Sequence, residues 1–424
     1  MSSGLRARMV RLFGAAIADQ IVLSAANFLV GFILIRFATD RDYALYVLIQ
    51  SALLFVTAAS SSWISAPLAV LAPRKPPQER RDMVGTVRHG QRWVLRRVAL
   101  VALIIPPLAY LAGLVDSQLA IVLFGTVLAG WMSLRRDYVR GVLLIYSRPH
   151  KLLFADSLYA GALLIGIVFA VLVPRSTVEW VPPVLAAAAW LGTAVADASF
   201  AADPGWSRGE NAPAMWREMR SLGLWSLASA VIYWLFTQSY NYVLAARLDL
   251  KAVADVNAAR LILMPTIVLT VGIGSFLPPT AAAWYAEVGY QRLIRRLIYI
   301  LVPFVLLYLA YFAVVWYLRD WLIGTVLHKE IGDHDRLLML WAGLALAGLV
   351  RDVVQSALFA VGRLKSLAWQ LGVSAALGLA LTAFGIPHWG AAAALIGQIV
   401  GEIVNLGGIL AMLRMQPPAR TVPA

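Results

Sequence analysis

Apolar segments of about 20 residues or more follow one another along almost the whole chain, separated by short polar stretches. A helix of roughly 20 apolar residues crosses the hydrocarbon core of a bilayer, which is about 30 Å thick. The pattern therefore predicts an all-α polytopic membrane protein with about twelve transmembrane helices. We place these helices at residues 14–38, 43–71, 97–115, 118–146, 152–173, 182–202, 222–247, 251–280, 297–317, 335–361, 366–386 and 389–412.

The composition agrees with a membrane protein, because 61% of the residues are hydrophobic and only 14% are charged. In a soluble domain about a quarter of the residues are charged. The absence of cysteine excludes disulfides, thiolate zinc sites and a cysteine nucleophile. Of the five histidines, His328 and His334 lie near acidic residues. A solvated polar turn explains that stretch better than a metal site, so we expect no metal and no cofactor.

The net charge of +14 comes from basic residues that concentrate in alternate loops. With the N-terminus in the cytoplasm, 23 of the 36 lysines and arginines fall in inside loops and 8 in outside loops. This asymmetry follows the positive-inside rule, predicts that both termini are cytoplasmic and argues against nucleic-acid binding. The most basic inside loop is predicted at residues 74–97. Contact with anionic lipid headgroups is favoured there over a docking site for a partner protein.

Short polar patterns recur about 215 positions apart, which indicates an internal repeat. We therefore predict two six-helix lobes, residues 1–202 and 222–424, joined by a cytoplasmic linker at residues 203–221. Because each lobe has six spans, a pseudo-two-fold axis along the membrane normal should relate them. The matched pairs are Arg136 with Arg351, Asp137 with Asp352, Arg148 with Arg363 and, at an offset of 214, Asn27 with Asn241.

The second charged segment is predicted to lie inside the membrane. Only the apolar residues 337–350 precede Arg351, and a helix of that length spans about 21 Å, which is too short for a core of about 30 Å. The helix should therefore continue to residue 361, and by analogy the first charged segment is buried too. Buried arginines can bind phosphate oxygens through paired hydrogen bonds, or they can brace helices by pairing with Asp137 and Asp352. The candidate anion-binding residues are Arg135, Arg136, Arg140 and Arg351.

Residues 27–38, which end the first span, and the turn from Asp42 to Tyr46 resemble the opening of Wzx-type polysaccharide flippases. These belong to the MATE/MOP flippase superfamily, together with lipid II flippases and multidrug extruders. The family typically has an arginine at the end of the first span, here Arg36, and then an acidic and aromatic turn. Ala44 stands where the family usually has glycine. The twelve-span layout with both termini inside also resembles this family.

The resemblance implies two lobes around a central cationic cavity that moves its substrate by alternating access. The implied substrate is an undecaprenyl-diphosphate-linked oligosaccharide, turned across the bacterial inner membrane for exopolysaccharide, O-antigen or capsule synthesis. Its diphosphate would bind the buried arginines. Membrane lipids are further partners, a polysaccharide polymerase and export machinery are candidate partners, and we expect a monomer that is not an enzyme. The predicted polar cavity lining is Asn27, Gln238, Tyr240, Asn241, Arg260 and Gln355.

A cation-coupled multidrug or small-solute exporter of the same superfamily is the alternative. It requires a membrane-depth carboxylate that binds the coupling proton or cation, and several are available. A membrane glycosyltransferase or polymer ligase is disfavoured, because no outside loop is long enough for an extracytoplasmic catalytic domain. The candidate coupling acids are Asp19, Asp137, Asp197, Asp352 and Glu402.

Overall fold

The computed structural model describes residues 3–173, 177–200 and 212–415. These residues form helices and connecting turns, and no strand occurs among them. A π-helical turn, Ser61–Ser65, joins α2 to α3, so that the two make one span. The helices are α1 Ser3–Phe37, α2 Asp40–Ser60, α3 Ala66–Leu71, α4 Pro77–Leu111, α5 Ser117–Ile145, α6 Pro149–Leu172, α7 Thr177–Ala198, α8 Ala212–Arg247, α9 Leu250–Val288, α10 Tyr290–Trp321, α11 His334–Val361, α12 Leu364–Trp389 and α13 Ala392–Arg414.

The prediction of an all-α polytopic membrane protein is confirmed. Among the described residues, eleven helical segments are long and apolar enough to cross a bilayer. The predicted span at 251–280 falls on α9, where the side chains at 267–273, 275 and 276 lie outside the described residues. The two helices that carry the charged repeat are continuous, as predicted: α5 runs through Arg136 and α11 runs through Arg351 to Val361.

Two predicted loops are in fact helical, and these predictions were wrong. Residues 77–97, the main part of the predicted basic loop, form the first half of α4. The predicted inside loop at 285–296 is reduced to Gly289, which has a left-handed φ of 78° between α9 and α10. Polar residues ended the apolar windows in both places, but residues 78–97 and 285–296 contain no proline, so the backbone stays helical beyond the hydrocarbon except at Gly289.

The chain divides into two compact units, Met1–Val231 and Ile232–Ala424, which we call unit 1 and unit 2. The division falls inside α8, whereas the predicted lobes divide at the linker 203–221. Residues 201–211 lie outside the described residues, and 212–221 form the first turns of α8. Met219 on those turns is buried in the core of unit 1, beside Leu68 and Val142. This packing explains why the beginning of α8 belongs to unit 1.

The internal repeat extends to the backbone conformation. Left-handed residues occur 215 positions apart at the two ends of the repeated charged helices: Gly113 (φ 69°) and His328 (φ 54°) come before them, and Ser147 (φ 54°) and Gly362 (φ 83°) come after them. Serine and histidine rarely adopt this conformation, so a shared turn geometry is being maintained at these positions. The helices that follow Ser147 and Gly362 are α6 and α12, which are therefore structural counterparts.

Arg148 and Arg363, matched in the sequence repeat, make the same kind of contact. Arg148 Nη1 donates to the carbonyl of Ser199, just beyond α7, at 3.4 Å. Arg363 Nη1 donates to the carbonyl of Met412, in the last turn of α13, at 3.1 Å. In each unit an arginine at the start of one helix thus satisfies a carbonyl at the end of the next.

Replacing Gly397 with alanine should destabilise unit 2 by about 1–3 kcal/mol, because overpacking forces the backbone to shift. An added Cβ would meet the carbonyl oxygen of Gly378 and the hydroxyl of Thr382, so α12 and α13 would have to separate. Gly407→Ala on the same helix is the matched control, since its Cβ would meet nothing within 4 Å. Thermal unfolding in detergent should show a lower midpoint for Gly397→Ala alone. Equal midpoints would contradict the close packing.

Candidate buried charge clusters

Unit 1 holds a buried ion-pair cluster formed by α1, α5 and α6. Asp156 on α6 accepts from both arginines of α5: its Oδ1 lies 2.6 Å from Arg136 Nη2, and its Oδ2 lies 2.7 Å from Arg140 Nε. Arg140 Nη2 also donates to Oδ2 of Asp19 on α1 at 3.0 Å. Arg136 and Arg140 are one helical turn apart, so their side chains reach the same carboxylate. The cluster ties three helices together.

Several polar atoms of this cluster have no hydrogen-bond partner among the described residues. They are Oδ1 of Asp19, Nε of Arg136 and Oδ2 of Asp137, and all three are buried. The guanidinium of Arg136 also stacks on the ring of Tyr159, 3.5 Å from its centroid. Buried polar groups are normally paired, because an unpaired one costs about 1–3 kcal/mol. The cluster therefore retains unused hydrogen-bonding capacity.

Unit 2 holds a corresponding cluster around Arg351 on α11. Its Nη2 lies 2.8 Å from Asp352 Oδ1, and its Nη1 lies 3.0 Å from Glu402 Oε1 on α13. The side chain of Arg351 is 12% exposed and that of Glu402 is 7% exposed. The second carboxylate oxygen of Glu402, Oε2, is buried without a partner among the described residues. Arg351 thus occupies the position equivalent to Arg136 but pairs with a different helix.

Carboxylates outnumber guanidiniums in both clusters. Asp19, Asp137 and Asp156 accompany Arg136 and Arg140 in unit 1. Asp352 and Glu402 accompany Arg351 in unit 2. With every group ionised, each cluster carries one negative charge in excess. A buried excess charge is costly, so the unit 1 cluster gains from binding a proton or a cation. The gain is smaller in unit 2, where Asp352 is 26% exposed and can remain hydrated.

A cluster of buried polar and aromatic side chains in unit 2 connects α8, α9 and α11. Asn257 Nδ2 donates to Asn241 Oδ1 at 2.7 Å, and the hydroxyl of Tyr240 donates to Asn257 Oδ1 at 3.3 Å. The ring of Trp341 packs edge-on against Tyr240, and the guanidinium of Arg260 lies 5.6 Å from the Trp341 centroid. Tyr240, Asn241 and Arg260, all predicted as cavity lining, are therefore brought together.

Asn257→Ala should lower the free energy of unfolding by about 1–3 kcal/mol, because it removes a buried amide that bonds to two neighbours. Asn27→Ala is the matched control, since Asn27 is exposed on α1 and surface substitutions usually change stability by no more than about 0.5 kcal/mol. Thermal unfolding of the two variants should separate them. Equal midpoints would show that the amide contacts contribute nothing.

The remaining predicted residues lie apart from these clusters. Arg135 Nη1 donates to the sulfur of Met132 at 4.0 Å, and Arg135 forms no ion pair within the described residues. Asp197 pairs with Arg88 and, at 3.0 Å, with Arg92, both on α4. Gln238 is buried and Gln355 is half-buried.

Asp156, Tyr159 and Asn257 received no role from the sequence. A single acid within the otherwise apolar α6 was the available signal for Asp156. Nothing in the sequence indicated that Tyr159 would stack on an arginine of another helix. The structure also replaces the predicted pairing partner of the unit 1 arginines, since Asp156 and not Asp137 receives their hydrogen bonds.

No protein-family model matches the sequence, and no curated protein matches it. Solved structures do. An inward-facing multidrug resistance MATE family transporter of the MOP superfamily superposes with a TM-score of 0.74 at 14% identity, over 94% of this chain and 97% of that chain. An outward-facing multidrug resistance MATE family transporter of the same superfamily superposes with a TM-score of 0.66 at 15% identity, over 96% of this chain and 94% of that chain. The lipid II flippase MurJ in an inward closed conformation superposes with a TM-score of 0.70 at 10% identity, over 95% of this chain and 87% of that chain. This chain therefore has the fold that MATE transporters share with MurJ, in a multi-pass membrane protein.

Proposed function

We propose that the protein flips a polyprenyl-diphosphate-linked oligosaccharide across the bacterial inner membrane by alternating access, as a transporter and not an enzyme. The observation that carries this proposal is the buried arginine cluster that recurs at equivalent positions of the two units. Arginines are rare at membrane depth and usually mark a substrate or ion pathway. Both termini would be cytoplasmic, and the flipped oligosaccharide would supply a polysaccharide polymerase.

The arginines can hold a diphosphate only in competition with their carboxylate partners. Arg140 donates to both Asp156 and Asp19, and Arg351 donates to both Asp352 and Glu402. Protonation of a carboxylate weakens its hold on the arginine and frees N–H groups for phosphate oxygens. Proton uptake and binding of the anionic substrate then favour each other. Arg136, with its unpartnered Nε, is the first donor available in unit 1.

The structural neighbours include members of both functional classes. The MurJ structure is described as a lipid II flippase, which supports a lipid-linked substrate. The MATE structures are described as multidrug resistance transporters, which supports the alternative of a cation-coupled drug exporter. The excess carboxylate in each cluster suits cation coupling and so favours that alternative independently. The two functions differ in whether the arginines contact the substrate.

Transport by the purified protein in liposomes should distinguish these functions. We expect the wild type to flip a labelled polyprenyl-diphosphate oligosaccharide, and Arg136→Ala to slow the flipping by at least about tenfold, the equivalent of about 1.4 kcal/mol. Asp156 keeps Arg140 as a partner in this variant, so the fold should persist. Arg336→Ala is the matched control, because its side chain is 44% exposed and pairs with Asp333 at 3.7 Å on the surface.

Efflux of a cationic dye from the same liposomes tests the alternative function of a drug exporter. Dye efflux that is insensitive to Arg136→Ala, without flipping of the lipid, would establish the drug exporter instead. If a stably inserted Arg136→Ala variant flips the lipid at the wild-type rate, Arg136 does not contact the substrate.

A further inference from the structure

Unit 1 contains an apolar groove of about 260 Å³ between α2, α4 and α5. Leu53 on α2, Val98 on α4 and Trp131 on α5 contribute to its walls, and no charged side chain lines it. The hydroxyl of Thr126, the one hydroxyl in the lining, is already bonded to the carbonyl of Val122 at 2.7 Å. Such a lining suits a hydrocarbon ligand and not a hydrated solute.

The surface beside the groove is apolar and exposed along α4. Val98, Val101, Ile104 and Ile105 are each more than half exposed. On a helix that is long and apolar enough to span a bilayer, an exposed face of this kind contacts lipid. Hydrocarbon chains therefore have direct access to the groove.

Arginines mark one end of the groove. On α4 the wall of the groove extends from Ala102 to Leu95, and Arg92 lies one helical turn before Leu95. On α5, Arg135 lies one helical turn after Trp131, on the same face of the helix. The two helices run in opposite directions, so both arginines lie at the same end. There Gln91 Nε2 donates to the carbonyl of Leu134 at 3.3 Å, which joins α4 to α5.

The positive charge at this end is only partly neutralised. Arg88 and Arg92 share the carboxylate of Asp197. Arg135 forms no ion pair within the described residues. An anionic group placed here would therefore gain charge-assisted hydrogen bonds without displacing an existing partner.

We infer that the groove binds one acyl chain of an anionic phospholipid, whose phosphate contacts Arg135. The distance from the arginines to the far end of the groove selects this occupant. From Arg92 to Ala102 the helix rises about 15 Å, which is half of a hydrocarbon core of about 30 Å and so matches a single leaflet. A polyprenyl phosphate presents the same chemistry, but its chain is much longer than one leaflet. Basic pockets between transmembrane helices commonly bind such headgroups.

Native mass spectrometry of the purified full-length protein tests this assignment. Phosphatidylglycerol, phosphatidylcholine and a polyprenyl phosphate would be added separately at equal concentration. We expect phosphatidylglycerol to be retained more strongly than phosphatidylcholine. Arg135→Gln should weaken its binding about fivefold, the effect of one arginine beside an anionic headgroup. Arg97→Gln is the matched control, because Arg97 stacks on Trp93 and lies off the groove wall.

A groove-filling variant separates the acyl chain from the headgroup. Ala102→Phe places a ring in the groove from its half-buried rim, so phosphatidylglycerol retention should fall as well while the arginines remain. Equal retention by Ala102→Phe and the wild type would overturn the assignment of the groove. Equal retention of phosphatidylcholine and phosphatidylglycerol would overturn the role of the arginines. Retention of polyprenyl phosphate that Ala102→Phe lowers would place this lipid in the groove and overturn the choice of a phospholipid, whereas retention that Ala102→Phe leaves unchanged belongs to the proposed substrate site and leaves the groove to the phospholipid.

Discussion

Asp156→Ala should destabilise the protein by about 3–5 kcal/mol, the cost of breaking a buried ion pair by removing one partner. The side chain of Asp156 is 1% exposed and accepts from Arg136 and Arg140 at once. Arg140 keeps Asp19 after the substitution, whereas Arg136 keeps the ring of Tyr159 but no ion-pair partner within the described residues. The uncompensated guanidinium of Arg136 is therefore the main source of the loss.

The midpoint of thermal unfolding in detergent, compared with that of Glu287→Ala, measures this effect. Glu287 also pairs with an arginine, Arg296, at 3.3 Å, but its side chain is 66% exposed. Exposed pairs contribute about 0–1 kcal/mol, so this control should unfold almost like the wild type. If both variants lose the same small amount, water must reach the Asp156 cluster, and the buried network would not hold α1, α5 and α6 together.

Hydrophobic spacing was sufficient to predict the fold because the bilayer imposes a strict length on each helix. The argument from length at Arg351 succeeded for the same reason: α11 had to continue beyond the charge to cross the core. The same argument gave no information about residues 77–97, since a helix that leaves the hydrocarbon is no longer limited by it. The amphipathic spacing of residues 84–93 is compatible with a helix, but it does not show that this helix joins the apolar span as one element.

The candidate site was only partly predictable. The repeat identified Arg136 and Arg351, and Arg140 was found beside Arg136, because an intramembrane charge is conspicuous against apolar neighbours. Apart from Asp352, which lies on α11 beside Arg351, their partners come from other helices. The sequence repeat does not contain these partners: Asp156 has Leu371 at the equivalent position, and Glu402 has Ala187. The two units thus keep the arginine and change the helix that neutralises it. Pairing between helices depends on their packing, and no periodicity in one helix encodes it.

The function of Arg351 can be separated from its structural role by removing its partner as well. Arg351→Leu leaves the carboxylate of Glu402 buried and unpaired, so we expect a loss of about 3–5 kcal/mol in stability and no lipid flipping. Replacing both members of a buried pair with apolar groups of similar volume is often neutral. The double variant Arg351→Leu with Glu402→Leu should therefore regain most of the stability.

Lipid flipping by that double variant then decides what Arg351 does. If Arg351 donates to the diphosphate, restoring the fold cannot restore transport, because the donor itself is missing. Asp352 is 26% exposed and can remain hydrated, so it adds little to the cost in either variant. We expect thermal unfolding near the wild type and a flipping rate at the background of empty liposomes. Flipping that returns together with stability would instead mean that Arg351 serves only to pair with Glu402, and substrate binding would have to be sought elsewhere.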